Sequence, residues 1–214
     1  MSLLAVQGGA TGTGTVTILA PSTNTNQTLT LPDATGTVVS TASTAVVTPA
    51  MLTQPFTSGT AVASTSGTSI DFTSIPSWVK RITIPLSSIS TNGTSPYIIQ
   101  IGDSGGVEIT SYLGSATRTV NGSSADVSNF TSGFILTPII ASSASYTGTA
   151  TLVLHNASTN LWNFASVGAL TGNAAGFSSS GIKTLSATLD RIRLTTENGT
   201  DTFDAGSVNI LYEG

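Results

Sequence analysis

The sequence predicts an all-β protein: a short N-terminal fibrous β region followed by an antiparallel β-sandwich or jelly-roll-like domain. Three observations predict this class. The 214-residue chain holds 38 Thr and 31 Ser, and β-branched Thr fits strands better than helices. No window of 11–18 residues keeps a helical apolar period, whereas many short runs alternate at period two. Asn-Gly and other Gly-rich dipeptides separate these runs, as they do in tight hairpins.

Composition excludes several classes of protein. The chain has only 6 basic and 10 acidic side chains and no Cys, so a disulfide-stapled module and a zinc–cysteine site are excluded. Its net charge of −4 argues against a nucleic-acid partner, which needs clustered Lys and Arg. No apolar run approaches the roughly 18–20 residues that span a bilayer, so we expect no membrane insertion. We also expect no cofactor.

Charge divides the chain into two regions. Residues 1–70 contain one charged side chain, Asp33. We therefore predict an extended β stalk or attachment region at residues 1–58 and a sandwich domain at residues 59–214. The stalk has short runs that alternate apolar and hydroxyl residues, at 13–20, 28–31 and 35–39. Such strands bury too little area to fold alone, so we expect copies of the chain to wind together. A disordered tail is the alternative.

A short helical neck is predicted at residues 48–55, because Thr48 suits the N-cap and Pro49 the first helical position. The strands predicted for the sandwich are 69–72, 79–86, 97–101, 107–113, 134–140, 149–155, 161–167, 182–189, 191–195 and 207–212. The turns predicted between them are Asn92-Gly93, Ser104-Gly105-Gly106, Asn121-Gly122 and Asn198-Gly199. Short strands joined by hairpin turns are typical of an antiparallel sandwich.

Few residues could carry catalysis, and we do not expect an enzyme. His155 is the single His, so a Ser-His-Asp arrangement would need it, and we expect it exposed or bonded to backbone at a strand end. Asp103 with Glu108, and Asp201 with Asp204, are the carboxylate pairs that could serve glycoside hydrolysis. Both pairs lie in turns, where Asp usually bonds its own backbone. Whether Asp201 and Asp204 bind Ca²⁺ is left open.

Binding is better supported than catalysis, by three tyrosines close to turns: Tyr97, Tyr112 and Tyr146. A tyrosine ring gives rigid, amphipathic contact area at low entropic cost and stacks on sugars. These three are the candidate ligand-binding residues. In the alternative interpretation they cover the edge of the core. Trp78 and Trp162 are expected in the core, since each lies beside strand-forming apolar residues.

One stretch resembles a known family. Residues 74–83, SIPSWVKRIT, resemble the start of C-terminal domains in bacteriophage tail-fibre and related receptor-binding proteins. Residues 67–73 and 90–95 fit the same pattern. The chain end at 193–213 resembles that family's final hairpin, and residues 29–38 resemble an element of fibre shafts and collars.

The resemblance implies a structural virion protein: a short homotrimeric tail fibre whose C-terminal sandwich binds a glycan or protein of the bacterial host surface. Such a chain is made in the host cytoplasm and joins the virion as a tail appendage, with residues 1–40 on other virion proteins. Because the region before the sandwich is short for a fibre, a capsid or collar decoration without a receptor role is the alternative. A glycan-degrading tail enzyme is a more remote one.

The stretch also predicts local geometry. Pro76 blocks a ladder donor and fixes a turn. We expect at least one of Lys80 and Arg81 to be exposed and to reach a carboxylate, such as Asp71 or Asp190, across a subunit contact. A surface ion pair of this kind contributes little to stability.

Overall fold

The computed structural model describes residues 56–122, 125–142, 144–172 and 174–214. Apart from residues 56–58, the predicted stalk lies outside these residues, as does the whole of the predicted neck. Within them every regular element is a β-strand and every strand pairing is antiparallel. The predicted all-β class is confirmed for this part of the chain.

The described residues form fifteen strands, numbered in chain order. They are β1 (Thr57–Ser58), β2 (Val62–Ala63), β3 (Ser69–Phe72), β4 (Arg81–Thr91), β5 (Tyr97–Asp103), β6 (Gly106–Val107), β7 (Leu113–Val120), β8 (Asp126–Asn129), β9 (Phe134–Ile135), β10 (Tyr146–Asn156), β11 (Leu161–Leu170), β12 (Ala175–Thr184), β13 (Arg191–Thr196), β14 (Phe203–Val208) and β15 (Leu211–Glu213).

The strands form two sheets. The larger sheet has ten strands in the order β1-β15-β4-β10-β11-β12-β7-β8, with β14 pairing to β2 and β4. The smaller sheet has five strands in the order β3-β13-β5-β6, with β9 also on β5. One apolar cluster joins residues of both sheets, so the architecture agrees with the predicted antiparallel sandwich.

Period-two patterning explains which side chains enter the core. In β11, Trp162 and Phe164 are buried, whereas their neighbours Asn163 and Val167 are exposed. Trp162 therefore lies in the core, as predicted. Trp78 is half-buried and packs against the outside of the core cluster. In contrast, β5 is buried at all seven positions and reads as a nearly continuous apolar run.

An aromatic stack connects the two sheets. Phe134 of β9 lies parallel to Phe164 of β11, with ring centroids 4.3 Å apart. Tyr112 meets Phe134 edge-on at 4.8 Å, and Phe130 does so at 5.7 Å. Aromatic pairs at these separations add about 0.5–1.5 kcal/mol each beyond the area they bury. The stack therefore ties β9 and β11 together at the centre of the core.

Two glycines make room for a tyrosine ring. Gly148 of β10 and Gly168 of β11 are partners across the ladder, and the ring of Tyr146 lies over both. A Cβ at Gly168 would be 2.3 Å from the Tyr146 Oη, and one at Gly148 would be 2.6 Å from it. Neither position has space for a side chain while the ring stays in place.

All four predicted turns lie between strands. Ser104-Gly105 closes the β5–β6 hairpin and Asn121-Gly122 follows β7 before its partner β8. Asn92-Gly93 and Asn198-Gly199 instead connect strands of different sheets, β4 to β5 and β13 to β14.

Four predicted strands are broken or end early. Residues 108–112 and 185–190 are connecting loops, and β9 ends at Ile135 instead of continuing to residue 140. Residues 209–210 divide the predicted strand 207–212 between β14 and β15. The sequence also missed β8, nearly all of β7 and the first half of β12, which are rich in Ser, Thr and Gly.

Candidate functional site

The segment at residues 75–80, inside the stretch that carries the family resemblance, turns over one end of the strands. Val79 N–H donates to the Pro76 carbonyl at 3.1 Å and closes the turn. Ser74, just before it, has φ of 60°, which is uncommon for a non-glycine residue. The predicted turn at Pro76 is confirmed.

Backbone hydrogen bonds fix both ends of this segment. Ile75 N–H donates to the Asp190 carbonyl at 2.9 Å, and Lys80 N–H donates to the Glu213 carbonyl at 2.8 Å. The Lys80 carbonyl in turn accepts from Leu154 N–H at 2.8 Å. The segment is therefore held in one conformation by β10, β15 and the loop before β13.

Two clefts lie next to the segment. The first has a mostly buried apolar lining from Val79, Leu154, Trp162 and Leu189, with Lys80 and Asn160 as polar lining residues. The second is lined by Ile75, Ser104 and Asp190, together with Ala187. Ser77, Thr188 and Leu189 line both. Segment 75–80 and loop 185–190 are thus walls of both clefts.

A polar network holds loop 185–190 in place. Ser186 N–H donates to Glu108 Oε1 at 2.7 Å, and the Ser186 hydroxyl donates to Asp103 Oδ2 at 2.5 Å. Lys183 donates its Nζ proton to Glu108 Oε2, and this lysine is only 3% exposed. A buried ammonium needs such a partner, because an unpaired charge in the core costs several kcal/mol, on the order of 3–5.

Hydrogen bonds keep both carboxyl groups of this network ionised. The Ser186 hydroxyl and the Gly105 N–H lower the pKa of Asp103. Burial alone would raise the pKa of Glu108, but hydrogen bonds from Lys183 and Ser186 outweigh it and leave the pKa below its ordinary value. A general acid in glycoside hydrolysis needs a raised pKa. The Asp103–Glu108 pair is arranged to hold loop 185–190, and we call the network of Asp103, Glu108, Lys183 and Ser186 the anchor.

The three candidate ligand-binding tyrosines all lie in the core: Tyr97 and Tyr112 are 1% exposed and Tyr146 is 0% exposed. Tyr112 contacts the anchor, since its hydroxyl donates to the Glu108 carbonyl at 2.8 Å and its ring centroid is 5.4 Å from Lys183 Nζ. A ring enclosed in this way has no free face for a sugar. Their placement agrees with the alternative interpretation, in which tyrosines complete the core.

The second carboxylate pair stabilises the connection between β13 and β14, which belong to different sheets. Asp201 Oδ2 accepts from Ser95 N–H at 3.0 Å and Asp201 Oδ1 accepts from Asn198 Nδ2 at 2.7 Å. Asp204 accepts from the Ser90 hydroxyl. Both Asp201 oxygens are therefore engaged within the chain. Among the described residues, no three His, Asp or Glu side chains are grouped closely enough to hold a metal ion.

The basic residues of the resembling stretch are both exposed, as predicted, and an ion pair across a subunit contact stays a prediction; within one chain, Arg81 has a different partner. Arg81 lies 3.7 Å from Glu213 of the same chain. Asp71 and Asp190 are instead paired with the two arginines of β13, at 2.7 and 2.9 Å. The reason is register: Arg81 and Glu213 are direct partners between β4 and β15.

His155 lies at the end of β10 and is exposed, as predicted. The residues that sequence reasoning missed are those that line the clefts from other elements, chiefly Leu154, Asn160 and Leu189. Asn160 has φ of 51°, and Asn is one of the few residues that tolerate this region. In the sequence, the one signal for Asn160 as a special position is that an Asn stands at the end of a turn.

Comparison with protein-family models, with curated proteins and with solved structures finds no match. Across the part of the chain that the structure describes, no helix is long and apolar enough to cross a membrane. The case for a function therefore depends on the sequence resemblance and on this chain's own surfaces.

Proposed function

We propose that this chain is a structural virion protein, a short homotrimeric bacteriophage tail fibre whose sandwich binds the bacterial host surface. The observation that carries the proposal is the position of the resembling stretch. Residues 75–80 form a common wall of two clefts at one end of the sandwich. The overlap of the resembling stretch with the walls of both clefts is what supports a binding role for this end of the sandwich.

The first cleft is small, about 70 Å³, so it has room for one substituent of a surface saccharide or peptide and not for a whole sugar ring. Its apolar wall at Val79 is buried, so the contacts it offers are polar: Lys80, Asn160 and Thr188 provide donors and acceptors for hydroxyl groups. Its walls are fixed by the hydrogen bonds described above. Because the protein side chains of a preformed site are already ordered, little conformational entropy is lost when a ligand binds, and the affinity is higher than for a flexible site.

Matched charge reversals at two neighbouring residues test this site. Lys80 and Arg81 are adjacent, exposed and basic, but only Lys80 lines the cleft. Fluorescently labelled chain is titrated onto a panel of bacterial strains and onto glycans released from them. We expect Lys80→Glu to weaken binding about tenfold or more and Arg81→Glu to change it by less than about twofold. Equal weakening by both variants would refute the cleft.

Assembly and position need separate measurements. Light scattering of the purified chain should give about three times the protomer mass of 21.5 kDa, and a monomer would refute the trimeric fibre. Antibody labelling of intact particles should place the chain on a tail appendage. Label on capsid faces or on the collar would instead favour a decoration role.

A further inference from the structure

One face of the larger sheet combines exposure with apolar character. We call the outward-facing side chains of β7, β8, β10, β11 and β12 the outer face. Five large apolar side chains on it are exposed: Leu113 (62%), Val127 (64%), Val153 (43%), Val167 (65%) and Ile182 (38%). Single exposed apolar residues are normal on a protein surface, whereas a group on one face marks an interaction site.

Strand register places these side chains in two continuous rows. In one row Leu113 pairs with Ile182, Ile182 with Asn163, and Asn163 with Val153. In the other, Val167 pairs with Ser178, Ser178 with Thr117, and Thr117 with Val127. Paired strands lie about 4.8 Å apart, so the rows are parts of one surface.

The outer face carries no charge. From Val127 to Ile182 the chain contains no Asp, Glu, Lys or Arg. On β7, the outward residues are Leu113, Ser115, Thr117 and Thr119. Arg118 lies between them on the opposite side of the strand and pairs with Asp126 at 3.5 Å. The charged residues of these five strands, Arg118, Asp126 and Lys183, thus lie off the outer face.

We propose that another copy of this chain covers the outer face. Identical copies present identical charges, so a charge-free face is the surface on which they approach without repulsion. Cores of protein interfaces are likewise depleted of charged residues. The outward Ser, Thr, Val and Ala side chains also lose little rotamer freedom on burial, unlike Lys or Glu.

The area is sufficient for such a contact. Five strands at about 4.8 Å spacing, each with about eight residues at about 3.4 Å rise, give a footprint of roughly 650 Å². Specific interfaces bury about 600–1,000 Å² on each partner. The outer face alone therefore reaches the lower end of this range, and further contacts between copies would add to it.

This inference rests on the self-association in the proposed function but not on its receptor role. The test uses the absence of Cys from the chain. Two full-length variants each introduce one thiol at a similarly exposed apolar position: Val167→Cys in the outer face and Ile109→Cys in the loop before β7, at 65% and 60% exposure. Maleimide labelling rates are measured in buffer and, as a reference, in denaturant.

We expect the native thiol of Val167→Cys to be labelled at least about tenfold more slowly than that of Ile109→Cys, once each rate is divided by its rate in denaturant. Val167→Arg should reduce the mass from light scattering, or, where other contacts hold the copies together, should restore fast labelling of a Ser178→Cys thiol beside it. Both results would support the contact.

The contrary outcomes are distinguishable. A trimer in which both thiols react equally fast would overturn the outer-face contact and leave the trimer of the proposed function intact. A monomer of 21.5 kDa with two fast thiols would overturn both. A monomer with a protected Val167→Cys thiol would mean that the chain covers its own outer face, which would also overturn contact with another copy.

Discussion

The two faces of the larger sheet are made by the same strands but have different side chains. Along β11, the inner positions hold Trp162 and Phe164, whereas the outer positions hold Asn163, Ala165 and Val167. The inner face is fitted to specific shapes, including a stacked ring pair and glycines beneath a tyrosine. The outer face has uncharged side chains, mostly small, with a few exposed large apolar ones such as Val167 and Leu113. Period-two alternation lets one strand serve folding on one side and association on the other.

The largest difference between the faces should appear when a side chain is removed. Phe164→Ala removes the ring stacked on Phe134 at 4.3 Å and leaves a cavity, so we expect a loss of about 3–5 kcal/mol in the free energy of unfolding. Val167→Ala, three positions along the same strand but on the outer face, should change it by less than about 0.5 kcal/mol. Denaturant unfolding measures both.

The comparison of Phe164→Ala with Val167→Ala requires that the stability of the single protomer be separated from the stability gained by association. Unfolding is therefore followed at several protein concentrations, since association makes apparent stability depend on concentration. Similar losses for Phe164→Ala and Val167→Ala at every concentration would contradict the division into a folding face and an associating face.

A smaller difference is expected when a methyl group is added. Gly168→Ala places a Cβ against the Tyr146 ring, 2.3 Å from its Oη, so we expect a loss of about 1–3 kcal/mol. The control is Gly176→Ala on the outer face of β12, where the nearest atom to a new Cβ is 3.5 Å away. That change should be neutral or stabilising by up to about 1 kcal/mol, because alanine has less freedom to lose on folding. Thermal unfolding of the two variants distinguishes these results.

The two faces also differ in how far the sequence predicts them. Strands with large inward side chains, such as β10, β11 and β13, were found because apolar and polar residues alternate clearly. Strand β12 begins AGFSSSG, in which every residue except Phe177 is small, so the alternation is weak. Its conformation is set by pairing with β7 and β11, which no local pattern contains.

The candidate site was only partly predictable for a similar reason. The resembling stretch and its turn at Pro76 are local, and both were found. The burial of Lys183 depends on Glu108, which lies 75 positions away in the sequence, so no spacing rule connects them. Residues 182–189 continue an apolar alternation, yet β12 ends at Thr184 because the next residues bend to meet the carboxylates of the anchor.

The inner face has an exception to packing by shape: Lys183 of β12, which is held in the charged anchor by groups that loops and β5 supply. The anchor therefore predicts a dependence on pH that ring and glycine variants lack. Hydrogen bonds hold the pKa values of Asp103 and Glu108 below their ordinary values in the folded chain. As pH falls, the unfolded chain takes up these protons first, and proton uptake then favours unfolding.

The stability that these carboxylates contribute is complete above their ordinary pKa values of 3.8 and 4.5, and it is lost as the pH falls through the lower folded values. We expect the urea midpoint to fall between about pH 5 and pH 3, by less than either core substitution causes, because Glu108 remains partly in contact with water. Asp103→Asn keeps an acceptor for Ser186 but no longer titrates, so its midpoint should fall less steeply. Ser186→Ala removes the hydroxyl that lowers the Asp103 pKa and should flatten the profile in the same way. Profiles that superimpose on the parent's for both variants would show that the acid sensitivity arises elsewhere, and that the wall of the clefts is held by packing alone.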